Sequence, residues 1–262
     1  MTSVEEHQLA LGEDVAAPLY VYGVVRAGAE VPGRKGVLGE RVALVTSDGV
    51  SALASRVPSE RVRAKRRDLL AHSDVLQAAH AQGVVLPLRF GTVFAGEADV
   101  RARLLESRKD ELLSLLGHYE GLSEMRLRAS YHDRESILAA VVAGDREIVA
   151  LRDATRGRHV PEAQLIALGE LVAKRYEGRR AADADAIVGR LAERAVDVRV
   201  DGNDDDELTV AKASFLIRDG DRRKFDEVLD SVALGLRHLV RFTCTGPLPP
   251  HSFVSLAGGG GA

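Results

Sequence analysis

"EMRLRASY", residues 124–131, sets Met125, Leu127, Ala129 and Tyr131 in alternation with Glu124, Arg126, Arg128 and Ser130. A period of two places one set on each side of an extended chain, so the stretch predicts a strand with one buried and one polar face. Helical sequence then runs over about 134–195, interrupted near 157–161 by glycine and proline. "AVDVRV" alternates Val196, Val198 and Val200. The acidic turn "DGNDDDE" leads into "LTVAKASFLIR", where Ala211, Ala213, Phe215 and Ile217 share a face, and the two runs predict a hairpin. "DRRKFDEVLDSVALGLRH" carries Phe225, Val228, Leu229, Val232 and Leu236 at helical offsets, and "LVRFTC" supplies a last strand. The order from about 122 to 245 is βαββαβ, a ferredoxin-like plan with an enlarged first helical connection.

Working back from this strand, the first half shows a weaker version of the same plan. "LYVYGVV" predicts a strand, and the glycine-rich "RAGAEVPGRKGVLG" is too irregular for a helix. Two apolar runs flank Asp48-Gly49, a pair suited to the positive φ of a hairpin turn, and Pro58 closes the second run. Leu69, Leu70, Val75, Leu76 and Ala79 predict a helix over about 66–81, stopped by Gly83. "VVLPLRFGTVF", residues 84–94, predicts the next strand. "EADVRARLLESRKDELLSLLGHY" predicts one amphipathic helix, with Val100, Leu104, Leu105, Leu112, Leu115 and Leu116 on its stripe and Glu97–Arg101 and Asp99–Arg103 as i,i+4 pairs. The expected fold class is therefore α+β in two domains: a smaller sheet-and-helix domain over 19–120 and a ferredoxin-like domain over 121–245. Residues 1–18 are expected to be a disordered lead-in. Residues 246–262 form a proline-rich segment with a glycine-rich tail.

Composition narrows the function classes. At 262 residues, with 45% hydrophobic and 29% charged side chains, the chain has room for two packed cores. A net charge of −3 gives no global attraction to nucleic acid or anionic membrane, and the absence of tryptophan argues against a base-stacking surface. The single cysteine, Cys244, cannot form an internal disulfide, which points to a reducing cytoplasm. No apolar run is long enough to span a bilayer, and the acidic start lacks the pattern of a secretory signal.

Motifs that would carry chemistry are scarce. "GRKGVLG" lacks the spacing of a P-loop or a dinucleotide fingerprint. His72 and His80 share a predicted helix but lie about 12 Å apart, too far to ligate one metal, and both are expected at the helix surface or core edge. "RVRAKRR", residues 61–67, admits two readings: a contact for an acidic partner, or a solvated helix start, as charge blocks usually are. The acidic run at 204–207 lacks the frame of a calcium loop. There is no G-x-S-x-G elbow, and Cys244 on an apolar strand is expected to pack as a small hydrophobe. No catalytic, cofactor-binding or metal-binding residues are assigned.

Two segments are unusual enough to carry a resemblance. "VVLPLRFGTVF", with the helix ahead of it bearing His72, Val75 and Leu76, resembles the Leu-Pro-Leu/Val-Arg-Phe-Gly-Thr motif of the gas vesicle protein F/L family. "FTCTGPLPPHSFV", residues 242–254, resembles that family's Gly-Pro-x-Pro-Pro-x-x-Phe-Val ending. "YVYGVV" and "KASFLIRDGDRRKFDEVLDSVA" are also similar to the family, in its order. Leu248 and His251 stand where the family's ending usually carries Trp and Tyr. The resemblance implies a non-enzymatic accessory protein of gas vesicle assembly, with a ferredoxin-like second domain. Its partners would be the hydrophobic main shell protein and other accessory proteins, at the gas vesicle in the cytoplasm, with no cofactor, nucleic acid or membrane. The alternative is a ferredoxin-like small-molecule-binding regulatory module, since that fold hosts many functions.

The motif residues Pro87, Arg89, Phe90, Gly91, Gly246, Pro247, Pro249, Pro250 and Phe253 are the candidate interaction site. Arg89, between Leu88 and Phe90, would be costly to bury alone. It is expected to pin the strand end through Glu97 or Asp99, the rival reading being that it faces a partner protein. The proline-rich ending is expected either to dock back on its own chain or to present an apolar edge.

Overall fold

Tyr20, Val21, Tyr22 and Val24 of strand β1 (Leu19–Arg26) are all fully buried, so this strand has no solvent face. The computed structural model describes residues 17–59, 61–155, 161–202 and 206–256. The lead-in expected over 1–18 therefore lies almost wholly outside the described residues. By packing, the chain divides into two units: residues up to Glu124 together with those from Pro247 onward, and Met125–Gly246 between them.

In the first unit, β2 (Ala43–Ser47) and β3 (Val50–Arg56) form the hairpin that Asp48-Gly49 predicts, with both turn residues at positive φ, 44° and 92°. β3 pairs antiparallel with β1, and helix α1 (Arg66–His80) follows. Val75, Leu76 and Ala79 of α1 pack on Tyr20, Tyr22, Val25 and Leu53. The stretch read as one strand becomes two short pieces, β4 (Leu86–Pro87) and β5 (Val93–Phe94), both paired antiparallel with β1. The sheet order is β2-β3-β1-β4, the order of a ferredoxin-like sheet, with residues 27–42 in place of the first helix. Val37, in the 3₁₀ turn Val37–Gly39, reaches into the core from that loop.

The helix expected over 97–119 is broken into α2 (Glu97–Val100), a π-helical segment (Arg101–Glu106) and α3 (Lys109–His118). A π turn carries an extra residue and rotates the side chains beyond it, so adjacent Leu104 and Leu105 are both buried. The guanidinium of Arg101 is held by the Thr46 carbonyl and by Glu97 at 2.6 Å, which anchors the segment against β2. Both expected i,i+4 pairs form.

The second unit matches the predicted plan closely. β6 (Leu122–Tyr131) buries Met125, Leu127, Ala129 and Tyr131 and exposes Arg126 and Arg128. Helices α4 (Arg134–Gly144), α5 (Arg146–Ala154) and α6 (Glu162–Ala192) make the enlarged connection. The break at 144–145 is not among the expected ones: Asp145 ends α4 and caps α5 by accepting from the backbone N–H groups of Glu147 and Ile148. The break expected near 157–161 falls almost entirely outside the described residues, as does much of the acidic turn. β7 (Asp197–Val200) and β8 (Thr209–Arg218) form the second hairpin, then come α7 (Arg222–Leu236) and β9 (Val240–Leu248). Here too the order is second-third-first-fourth, β7-β8-β6-β9. Leu127, Ile187, Leu191, Ala213, Phe215, Ile217 and Phe225 centre the core. On β7 only Val198 packs against it; Val196 and Val200 are exposed because this is a short edge strand.

Gly23 marks how tightly β1 is enclosed. A Cβ there would fall 2.7 Å from the Leu86 carbonyl oxygen and 2.9 Å from a Leu76 methyl. Gly33, by contrast, faces open space. Gly23→Ala should lower unfolding free energy by about 1–3 kcal/mol or more, while Gly33→Ala stays within about 0.5 kcal/mol, as read by urea denaturation.

Candidate functional site

Pro87 has no N–H, so the ladder between β4 and β1 ends there on one side. Leu88 N–H still donates to the Tyr22 carbonyl at 2.8 Å, and the chain then leaves the sheet. It returns where Val21 N–H donates to the Thr92 carbonyl at 2.9 Å. Residues 88–92 thus form an excursion on an edge strand. Thr92 closes it by donating from its N–H (3.3 Å) and Oγ1 (2.7 Å) to the Arg89 carbonyl. Gly91 turns it at φ 89°, a conformation that favours glycine.

A buried polar chain fixes the excursion from beneath. Gly91 N–H donates to Tyr20 Oη at 3.2 Å, and Tyr20 Oη lies 2.8 Å from His72 Nδ1. The Tyr20 hydroxyl, which accepts from Gly91, can donate its own proton to Nδ1 of a neutral His72. Phe90 meets the rings of Tyr20 and His72 edge-on at 5.7 Å, and Tyr22 stacks on His72 at 5.6 Å. Tyr22 Oη in turn accepts from Val37 N–H (2.8 Å) and bonds Ser55 Oγ (2.7 Å), tying the 27–42 loop to the same cluster.

Arg89 overturns its expected role. Its side chain is exposed and, among the described residues, has no partner. Glu97 is engaged by Arg101 and Asp99 by Arg103 and the Ala95 N–H. The excursion is pinned by backbone and aromatic contacts, so the guanidinium is left at the tip. His72, expected at a surface or core edge, is 6% exposed and central to the network. No local pattern announces this, because its partners come from β1 and from residues 88–91.

The proline-rich ending folds back on the first unit. Gly246 and Pro247 lie in β9, Pro249 and Pro250 are buried, and Leu256 is buried beyond them. Tyr119 Oη donates to the Phe253 carbonyl at 3.0 Å, while Ser252 donates from N–H and Oγ to the buried Glu124 carboxylate, both at 2.8 Å. Phe253 and Val254 are half-buried. Docking is thus the observed arrangement of this segment. Positive charge on His251 disfavours protonation of His72.

Elsewhere the chemistry is sparse. Cys244 is half-buried, and burial pushes its thiol up to about 11, away from reactivity. Among the described residues no three His, Cys, Asp or Glu side chains group as a metal ion would require, and no helix is long and apolar enough to cross a membrane. A depression beside Arg134, Glu135, Leu138, Ala139 and Val142 is lined by one helix, α4.

Comparison with known proteins accounts for the recurrence of these motifs. A family model described as gas vesicle synthesis protein GvpL/GvpF matches residues 18–255. The chain belongs to this family. It is 36% identical over 241 residues to gas vesicle protein F of a Streptomyces species, covering 90% of this chain and 98% of that relative. It is 24% identical over 245 residues to gas vesicle protein F of Dolichospermum flosaquae, covering 92% and 99%. The crystal structure of GvpF from Anabaena superposes with a TM-score of 0.81 at 24% identity, over 92% of this chain and 100% of that one, which establishes the fold. Both the GvpL/GvpF resemblance and the α+β class read from the sequence therefore hold.

The His72 network has a pH signature in this GvpL/GvpF chain. Burial, aided by His251, depresses its pKa from 6.5 to about 4. Below the unfolded pKa the unfolded chain binds the proton first, so the stabilisation is complete above about pH 6.5 and is lost as pH falls toward 4. From pH 7 to pH 5 the wild type should lose about 2 kcal/mol more than His72→Gln, read as urea midpoints at both pH values.

Proposed function

We propose that this protein binds the main gas vesicle shell protein during shell assembly, and that the Arg89 excursion is part of the contact. Membership of the gas vesicle synthesis family supports the setting. The observation that carries the site is an exposed arginine, without a partner among the described residues, on a turn whose backbone is held from below. A pre-organised tip loses little entropy on binding, and arginine is over-represented among residues that dominate interface energies. Half-buried Phe90 beside it adds area that a hydrophobic partner can cover. The protein acts by contact, at the gas vesicle, with no chemistry of its own.

The test is retention of tagged shell protein by the full chain. Arg89→Ala should leave the melting temperature within about 2 °C, because an exposed side chain without a partner contributes little to stability. The same variant should reduce shell-protein retention by about tenfold or more. A truncation lacking residues 252–262 removes the Glu124 and Tyr119 contacts and should melt at lower temperature. Wild-type retention by Arg89→Ala would remove the excursion from the interface; failure of the full chain to retain shell protein would remove the function.

A further inference from the structure

The basic run at 61–67 stands at the start of α1, and its charge works against the helix. The positive end of the helix dipole favours acids in the first turn, yet Arg61, Arg63, Lys65, Arg66 and Arg67 are all exposed around it. Lys65 occupies the N-cap position and provides no side-chain cap. Neutralisation is almost absent. Among the described residues Arg61, Arg63, Lys65 and Arg66 make no ion pair, and Arg67 has only Asp68, at 3.5 Å. Elsewhere in the chain the arginines of the π-helical segment, α6 and α7 are commonly matched at i±3 or i±4.

The 27–42 loop adds to the same surface. Leu38 N–H donates to the buried Asp68 carboxylate at 3.2 Å, so the loop carrying exposed Arg34, Lys35 and Arg41 is tied to this helix start. Among the described residues these three cations also have no ion-pair partner. Next to the charge lies apolar area: Leu38, Leu69 and Leu70 are 38%, 44% and 55% exposed. Leu70 sits three and four residues after Arg67 and Arg66, on the same stripe of the helix.

We propose that the start of α1 and the loop tied to it form a docking surface for an acidic, leucine-bearing segment of a partner protein. Charge complementarity selects the sign: the chain is acidic overall, at −3, yet concentrates unmatched cations here. The exposed leucines select protein over nucleic acid, which gains nothing from them. A membrane surface would need an apolar face continued over several turns, but the next exposed positions are Ser73, Asp74 and Gln77. This surface is distinct from the Arg89 tip, and the inference does not rest on shell binding.

The test is fluorescence anisotropy of the full chain with a labelled helical peptide of paired glutamates and leucines, in low-salt buffer. Arg63→Gln, Lys65→Gln and Arg66→Gln combined should weaken binding by about tenfold or more, and Leu69→Ser with Leu70→Ser by several-fold. Arg223→Gln with Arg241→Gln, both in the second unit, should leave it unchanged. Lys65→Asp supplies a cap and the favoured sign, so it should raise the melting temperature by a few degrees while weakening binding. Undiminished affinity in the combined Gln variant overturns the proposal. So does tighter binding to duplex DNA or to phosphatidylglycerol vesicles than to the peptide.

Discussion

The hydrogen-bonded chain from Gly91 through Tyr20 to His72 is the constraint on which the first unit depends. It joins a strand, a helix and a surface turn that are distant in sequence, and it does so with buried polar groups that only stabilise when each is satisfied. His72 must therefore stay neutral. Burial raises the phenols of Tyr20 and Tyr22 as it lowers the imidazole, so all three groups remain uncharged through the neutral range. Glycine at 91 suits the positive φ of the turn, and its N–H begins the chain. Phe90 packs into the cluster, while the Arg89 side chain points away from it into solvent.

The same cluster explains what stands in for a helix. A ferredoxin-like sheet needs something to cover the face beside its first crossover. In the second unit α4, α5 and α6 do this. In the first, residues 27–42 cover it with Val37 and Val42, and the Val37 N–H is taken by Tyr22 Oη. That close approach requires glycine at 36, where a Cβ would fall 2.1 Å from the Tyr22 oxygen. Leu38, forced to φ 60°, shows the backbone strain such a compact plug carries.

The strand order was legible where periodicity was clean. β6, β8 and α7 announce their buried faces residue by residue, and Asp48-Gly49 announces its turn, because these signals depend on neighbours in sequence. The misreadings share the opposite cause. Arg89 looked costly because its neighbours are apolar, but the excursion at 88–92 turns it outward, and only pairing with β1 reveals that. His72 looked peripheral because its partners lie 52 residues away in Tyr20 and beyond. Glu124 falls on the polar side of an alternating strand, yet it is fully buried under Ser252, 128 residues later.

These facts separate two uses of charge in the molecule. The ion pairs along α3, α6 and α7 are exposed and each is worth about 0–1 kcal/mol, so they serve solubility more than stability. Among the described residues the cations at 61–66 make no such pair, and they sit where the helix dipole disfavours them. Folding alone would select an acid or a capping serine at position 65. A surface that opposes its own helix and carries exposed leucines beside the charge is better explained by contacts outside the chain. The excursion at Arg89 obeys the same logic, with its backbone fixed from within and its charge left outside. In both places local stability stops short of the groups that face outward, which is where a protein acting by contact needs groups still free to interact.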